Sequence, residues 1–100
     1  AILGDMFELG DSAERLHRYV GESAVKFGCE YVFTVGKNSA QITSAVDEEC
    51  RAKQTAHFEN MDEILAELPN IIKKDDCVLI KGSRGMRMEQ IVEKLKELQV

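Results

Sequence analysis

Cys77-Val78-Leu79-Ile80-Lys81-Gly82-Ser83-Arg84-Gly85 is the stretch on which the fold turns. Four apolar residues in a row, bounded by polar turns, suit a short strand covered on both faces, as strands of a parallel sheet are. The glycine-bearing turn that follows leads into Met88, Ile91, Val92, Leu95 and Leu98, spaced so that one side of a helix faces inward. A buried strand handing over to an amphipathic helix is one β-α unit of an α/β domain.

Upstream, the same unit recurs. Tyr31-Val32-Phe33-Thr34-Val35 is a β-prone run closed by Gly36, after which Asn38 or Ser39 can cap a helix carrying Ile42, Ala45, Val46 and Glu49. Ala1-Ile2-Leu3 enters the loop Gly4-Asp5-Met6-Phe7-Glu8-Leu9-Gly10. Asp11 and Glu14 then have capping-box spacing, and Leu16, Val20, Ala24 and Phe27 predict a helix over 12–27 with Gly28 as its left-handed cap. Thr55-Ala56-His57-Phe58 is a weaker strand. Asn60, Met61, Ile64, Leu65 and Leu68 describe a helix that Pro69 should end or disturb, and Lys73-Lys74-Asp75-Asp76 is a polar turn.

Four β-α units with short connections predict an α/β, Rossmann-like three-layer domain, with a mainly parallel sheet, helices on both faces and right-handed crossovers. In such sheets ligands sit beyond the carboxyl ends of the strands. That rule selects the loops at 4–10, 36–39, 59–61 and 81–85. No internal repeat, linker or low-complexity tract interrupts the pattern, and a chain of 100 residues holds one domain, 1–100.

Composition narrows the function. A 44% hydrophobic and 31% charged chain is ordinary globular material, and its net charge of -5 argues against duplex nucleic acid or an anionic membrane as partner. Any anion site must be local. Cys29, Cys50 and Cys77 are odd in number and never form a C-x-x-C pair, so a disulfide framework or zinc ribbon is not indicated and a reducing cytoplasm fits. No apolar run reaches the roughly 20 residues of a membrane helix. The chain opens on Ala1-Ile2-Leu3 without Met, cap or turn, which reads as a strand entered midway in something longer.

Lys81-Gly82-Ser83-Arg84-Gly85-Met86-Arg87 is the strongest candidate for chemistry: three cations, two glycines and a hydroxyl between a strand and a helix start. Glycine admits a ligand to the backbone, and a helix N-terminus favours a carboxylate or phosphate. The plainer reading is a solvated turn balancing an acidic chain. The stretch matches neither G-x-x-x-x-G-K-[ST] nor G-x-G-x-x-G. Asp5 and Glu8 end the first strand, where two carboxylates would suit a metal, an amine or a ribose, or simply cap the next helix. His17 and His57 suggest no triad and read as packed or hydrogen-bonded residues, and Met86 and Met88 as packing residues.

Taken in order, Ala1 to Gly10, Leu16-His17 and Lys81-Gly82-Ser83-Arg84-Gly85-Met86-Arg87-Met88-Glu89 resemble the C-terminal domain of the Mur ligase family, in the branch that adds D-alanyl-D-alanine. The resemblance spans nearly the whole chain and is least distinctive over 36–70. It implies a three-domain, ATP-dependent amide ligase of peptidoglycan precursor synthesis. An N-terminal domain would hold the UDP-sugar peptide and a central domain ATP and Mg2+, while this domain closes over them and helps bind the dipeptide. The substrate carboxylate would become an acyl phosphate that the dipeptide amine attacks. Ser83 and Arg84 would be contacts for the dipeptide carboxylate, with Lys81, Gly82 and Asp5 shaping the site.

One departure limits the transfer. The family's domain starts earlier, with a strand and helix carrying a Tyr-Asn-Ala-Asn-Pro hinge, and neither that stretch nor the central phosphate loop is present. The chain alone is therefore expected to be inactive, with a sheet edge open to pairing with a second copy. A stand-alone flavodoxin-like or receiver-like module is the alternative, since Asp5 and Lys81 imitate two parts of a receiver's pattern.

Overall fold

Side-chain alternation along the strands builds two cores, one on each side of a single sheet. The computed structural model describes residues 1–7, 10–49, 52, 54–73 and 76–98. Its strands are β1 (Ile2–Gly4), β2 (Tyr31–Val35), β3 (Gln54–Phe58) and β4 (Ile80–Lys81), and its helices are α1 (Ala13–Lys26), α2 (Ala40–Glu49), α3 (Met61–Ile71) and α4 (Glu89–Leu98). The strand order is β3-β2-β1-β4, and every pairing is parallel. The expected α/β fold is the observed one.

Register explains the layering. Ile2 pairs with Phe33 and Gly4 with Val35, while Leu3 lies opposite Thr34. Ile2, Phe33 and Val35 therefore share one face, where they pack with Ile64 and Leu68 of α3 and Met88 and Ile91 at α4. Leu3 and Val32 share the other face with Val25 of α1 and Ile42 and Val46 of α2. Burying a side chain of this size contributes about 1.5–3 kcal/mol, so each face anchors its helix pair. Gly21 lets α1 and α2 approach closely: a Cβ there would stand 2.5 Å from the Ile42 carbonyl oxygen. Arg18 of α1 adds an ion pair with Glu48 of α2.

Several local expectations change in the folded chain. The run 77–80 is not covered on both faces: Cys77 is exposed, Leu79 is 56% exposed, and regular pairing is confined to β4. Helix α2 lies over β2 and β3, and α1 packs on α2 with Val25 in the cluster of Leu3, which leaves Leu79 beside β4 exposed. The 10–12 stretch forms a 3-10 turn, so α1 starts one residue later than expected, and Ser12 at its cap makes no side-chain cap bond. The 55–58 strand is firmer than its composition suggests, because β3 pairs with β2 over its full length. Pro69 does not end α3, which runs two residues further to Ile71. At α4, Met88 and Ile91 are buried, but Val92 and Leu98 are each 39% exposed. Gly28 takes the expected left-handed conformation, with φ +85°.

Candidate functional site

The carboxyl edge of the sheet is held by residues that lock loops to one another. Asp5 follows β1 and is only 4% exposed. Its carboxylate accepts the Lys37 N–H at 3.0 Å and the Ser39 N–H at 2.7 Å, so it occupies the amino end of α2 as an internal anion. Side-chain capping expected from Ser39 is thus supplied instead from a distant strand, and among the described residues the buried Ser39 hydroxyl has no partner. Gly36 makes room for this, with φ +119° and a position where a Cβ would fall 2.6 Å from Asp5 Oδ1. A phosphorylatable aspartate needs a solvent-facing carboxylate, and Asp5 lacks one, which disfavours the receiver alternative.

Residues 5–7 are pinned one after another. The Asp5 carbonyl accepts the Ser83 N–H at 3.0 Å. The Met6 N–H donates to His17 Nε2 at 2.9 Å, and the Phe7 N–H donates to Ser83 Oγ at 2.8 Å. Ser83 is thereby tied twice to the loop after β1. Its oxygen accepts one hydrogen bond and its own O–H is left to donate elsewhere. Met88 sits under the turn, since a Cβ on Gly82 would meet its Cγ at 2.9 Å and a Cβ on Gly4 its Sδ at 2.9 Å. Phe7 lies over Gly85, where a Cβ would come within 2.4 Å of the ring.

On this platform the cations are presented to solvent. Lys81 and Arg84 are exposed, and among the described residues their side chains have no ionic partner; Arg87 lies 4.0 Å from Glu89. Arg84 opens a short 3-10 turn (Arg84–Met86). Beside them an apolar cleft of about 400 Å3 is lined by Leu3, Met6, Val20, Ala24 and Leu79 and reaches Lys81, Gly82 and Ser83. The five residues singled out from sequence, Asp5 and Lys81 to Arg84, lie on neighbouring strand ends. Glu8 lies outside the described residues, as do Leu9, Cys50, Lys74 and Asp75. Cys29 and Cys77 are free. The backbone of Met6 and Phe7 belongs to the assembly but was invisible in sequence, because a main-chain N–H leaves no trace in residue type.

Among the described residues no three His, Cys, Asp or Glu side chains converge to hold a metal ion, and no helix is long and apolar enough to cross a membrane. His57 Nδ1 is engaged by Thr34 Oγ1 at 2.8 Å and its Nε2 lies 3.8 Å from Glu59.

An open parallel sheet with helices on both faces defines an α/β domain of the doubly wound class. Residues 1–84 match the family described as Mur ligase, glutamate ligase domain, and the chain belongs to that family. It is 34% identical over 96% of its length to the UDP-N-acetylmuramoyl-tripeptide--D-alanyl-D-alanine ligase of Bacillus subtilis. It is 35% identical over 96% of its length to the ligase of the same name from Escherichia coli. A crystal structure of MurF from Acinetobacter baumannii superposes on 96% of the chain with TM-score 0.76 at 27% identity. The chain spans about a fifth of each relative, 21% of the first, 20% of the second and 21% of the crystallised protein.

Proposed function

We propose that residues 1–100 are the C-terminal domain of a three-domain, ATP-dependent ligase that adds D-alanyl-D-alanine to UDP-N-acetylmuramoyl-tripeptide in the cytoplasm, for peptidoglycan synthesis. The single observation carrying this reading is the turn at 81–84, where Lys81 and Arg84, without an ionic partner among the described residues, and the Ser83 hydroxyl stand on a platform braced by β1. D-alanyl-D-alanine brings a free carboxylate, which such donors would hold by charge-assisted bonds. Its two methyl groups suit the apolar wall beside Ser83, formed by Met6 and Val20.

Holding that carboxylate fixes the other end of the dipeptide, so the domain's part in the reaction is to orient the attacking amine and to exclude water. Asp5 shapes the site through its carbonyl and through the loop it clamps, and Gly82 lets the ligand near the backbone. In this reading ATP and Mg2+ belong mainly to the central domain. The UDP-sugar peptide belongs to the N-terminal one. By itself the chain is expected to neither hydrolyse ATP nor form the amide bond.

The test is steady-state kinetics of the complete ligase carrying Arg84→Ala. Loss of one charge-assisted contact, worth about 1.5–3 kcal/mol, is expected to raise KM for D-alanyl-D-alanine by about 10- to 100-fold with ATP binding unchanged. An unchanged dipeptide KM would overturn the assignment.

A further inference from the structure

His17 is fully buried on α1, yet both of its ring nitrogens are spoken for. Nδ1 lies 2.6 Å from the Ala13 carbonyl oxygen, which only accepts, so Nδ1 carries the proton. Nε2 is then the unprotonated nitrogen, and it accepts the Met6 N–H at 2.9 Å. This is a neutral imidazole in one tautomer, used as a fixed acceptor for the backbone of another segment.

Position along the loop gives that bond its reach. Met6 lies between Asp5, whose carbonyl takes the Ser83 N–H, and Phe7, whose N–H goes to Ser83 Oγ. The loop is therefore clamped on one side by α1 and on the other by the turn after β4. With the Met6 N–H released, it would seek water, and residues 5–7 would rotate away from Ser83. The Ser83 hydroxyl would lose the bond that sets which way its O–H points.

We propose that His17 is a positioning residue for the carboxylate site: through Met6 it holds the loop that aims the Ser83 hydroxyl at the substrate. The proposal rests on the reading of 81–84 as that site. His17 touches no substrate itself; it acts through the backbone of Met6 and Phe7.

Two substitutions of the buried ring separate this role from mere packing. In His17→Gln the side-chain oxygen reaches the place of Nε2 and keeps an acceptor for Met6. In His17→Asn the shorter amide reaches only the place of Nδ1, and that acceptor is lost. The Ala13 carbonyl keeps the main-chain N–H four residues on in both variants. In the complete ligase, His17→Asn is expected to raise KM for D-alanyl-D-alanine about tenfold with kcat within about twofold, the size of effect a small misplacement of a binding group produces. His17→Gln is expected to stay within about threefold of the parent on the same scale. Amide hydrogen exchange at Met6 and Phe7 should speed up in the Asn variant and stay slow in the Gln variant.

Equal dipeptide KM values for the two variants, beside a raised KM in Arg84→Ala, overturn the positioning role and leave the carboxylate site standing. An unchanged KM in Arg84→Ala overturns the site and the positioning role together.

Discussion

Asp5 Oδ1 accepts the Ser39 N–H at 2.7 Å across 34 residues of sequence, and Oδ2 takes the Lys37 N–H at 3.0 Å. A carboxylate at the end of β1 thus closes the β2–α2 loop and faces the amino end of α2, where the helix dipole favours it. Asp5→Ala would strand two N–H groups and leave a small void. It is expected to lower unfolding stability by about 2–4 kcal/mol in urea titrations, and Asp5→Asn, which keeps one acceptor, by about half of that. A cost under about 0.5 kcal/mol for Asp5→Ala, the range of a plain surface change, would mean that the clamp does not hold the loop.

Gly36 and Gly28 both have positive φ, +119° and +85°, but their surroundings differ. A Cβ at Gly36 would collide with the Asp5 carboxylate, whereas at Gly28 nothing lies within 4 Å. Gly28→Ala is expected to cost about 1 kcal/mol, the backbone strain alone. Gly36→Ala adds a displaced buried carboxylate and is expected to cost at least about 3 kcal/mol. Paired urea midpoints check the ordering, and equal losses would contradict the contact with Asp5.

Those two glycines also mark the boundary of what residue order reveals. Gly28 was legible because a helix end and its left-handed cap lie within a few neighbouring residues. The strand-to-helix turn at 81–85 was legible for a similar reason, since the strand before it and the helix after it lie within a few neighbouring residues. The Asp5 clamp was not, because its partners at 37 and 39 become neighbours only after β1 and β2 pair. Asp11 and Glu14 had the spacing of a capping box, but the 3-10 turn at 10–12 moved the helix start to other residues. The apolar run at 77–80 showed where a strand lies and not how far it is covered, which depends on the reach of α1 and α2 over the sheet. Ser83 was legible as a polar residue in a basic turn, while its bond from the Phe7 N–H is a main-chain contact that no side chain announces.

Gly21 sets a local preference against a packing constraint, and the structure decides between them. It lies inside α1, where alanine is favoured over glycine by about 1 kcal/mol, so an isolated helix would gain from Gly21→Ala. In the folded chain the added Cβ would stand 2.5 Å from the Ile42 carbonyl oxygen and 3.1 Å from the Ala45 Cβ. The first of these is main chain of α2 and cannot swing aside as a flexible side chain would. Relief requires α2 to move off α1, which loosens the cluster of Leu3, Val25, Ile42 and Val46 beneath both helices. Overpacking of this kind costs about 1–3 kcal/mol or more and outweighs the propensity gain. Gly21→Ala is therefore expected to be destabilising by up to about 2 kcal/mol net, read as a lower urea midpoint at unchanged slope. A raised midpoint would show that the two helices stand further apart than the Ile42 contact requires.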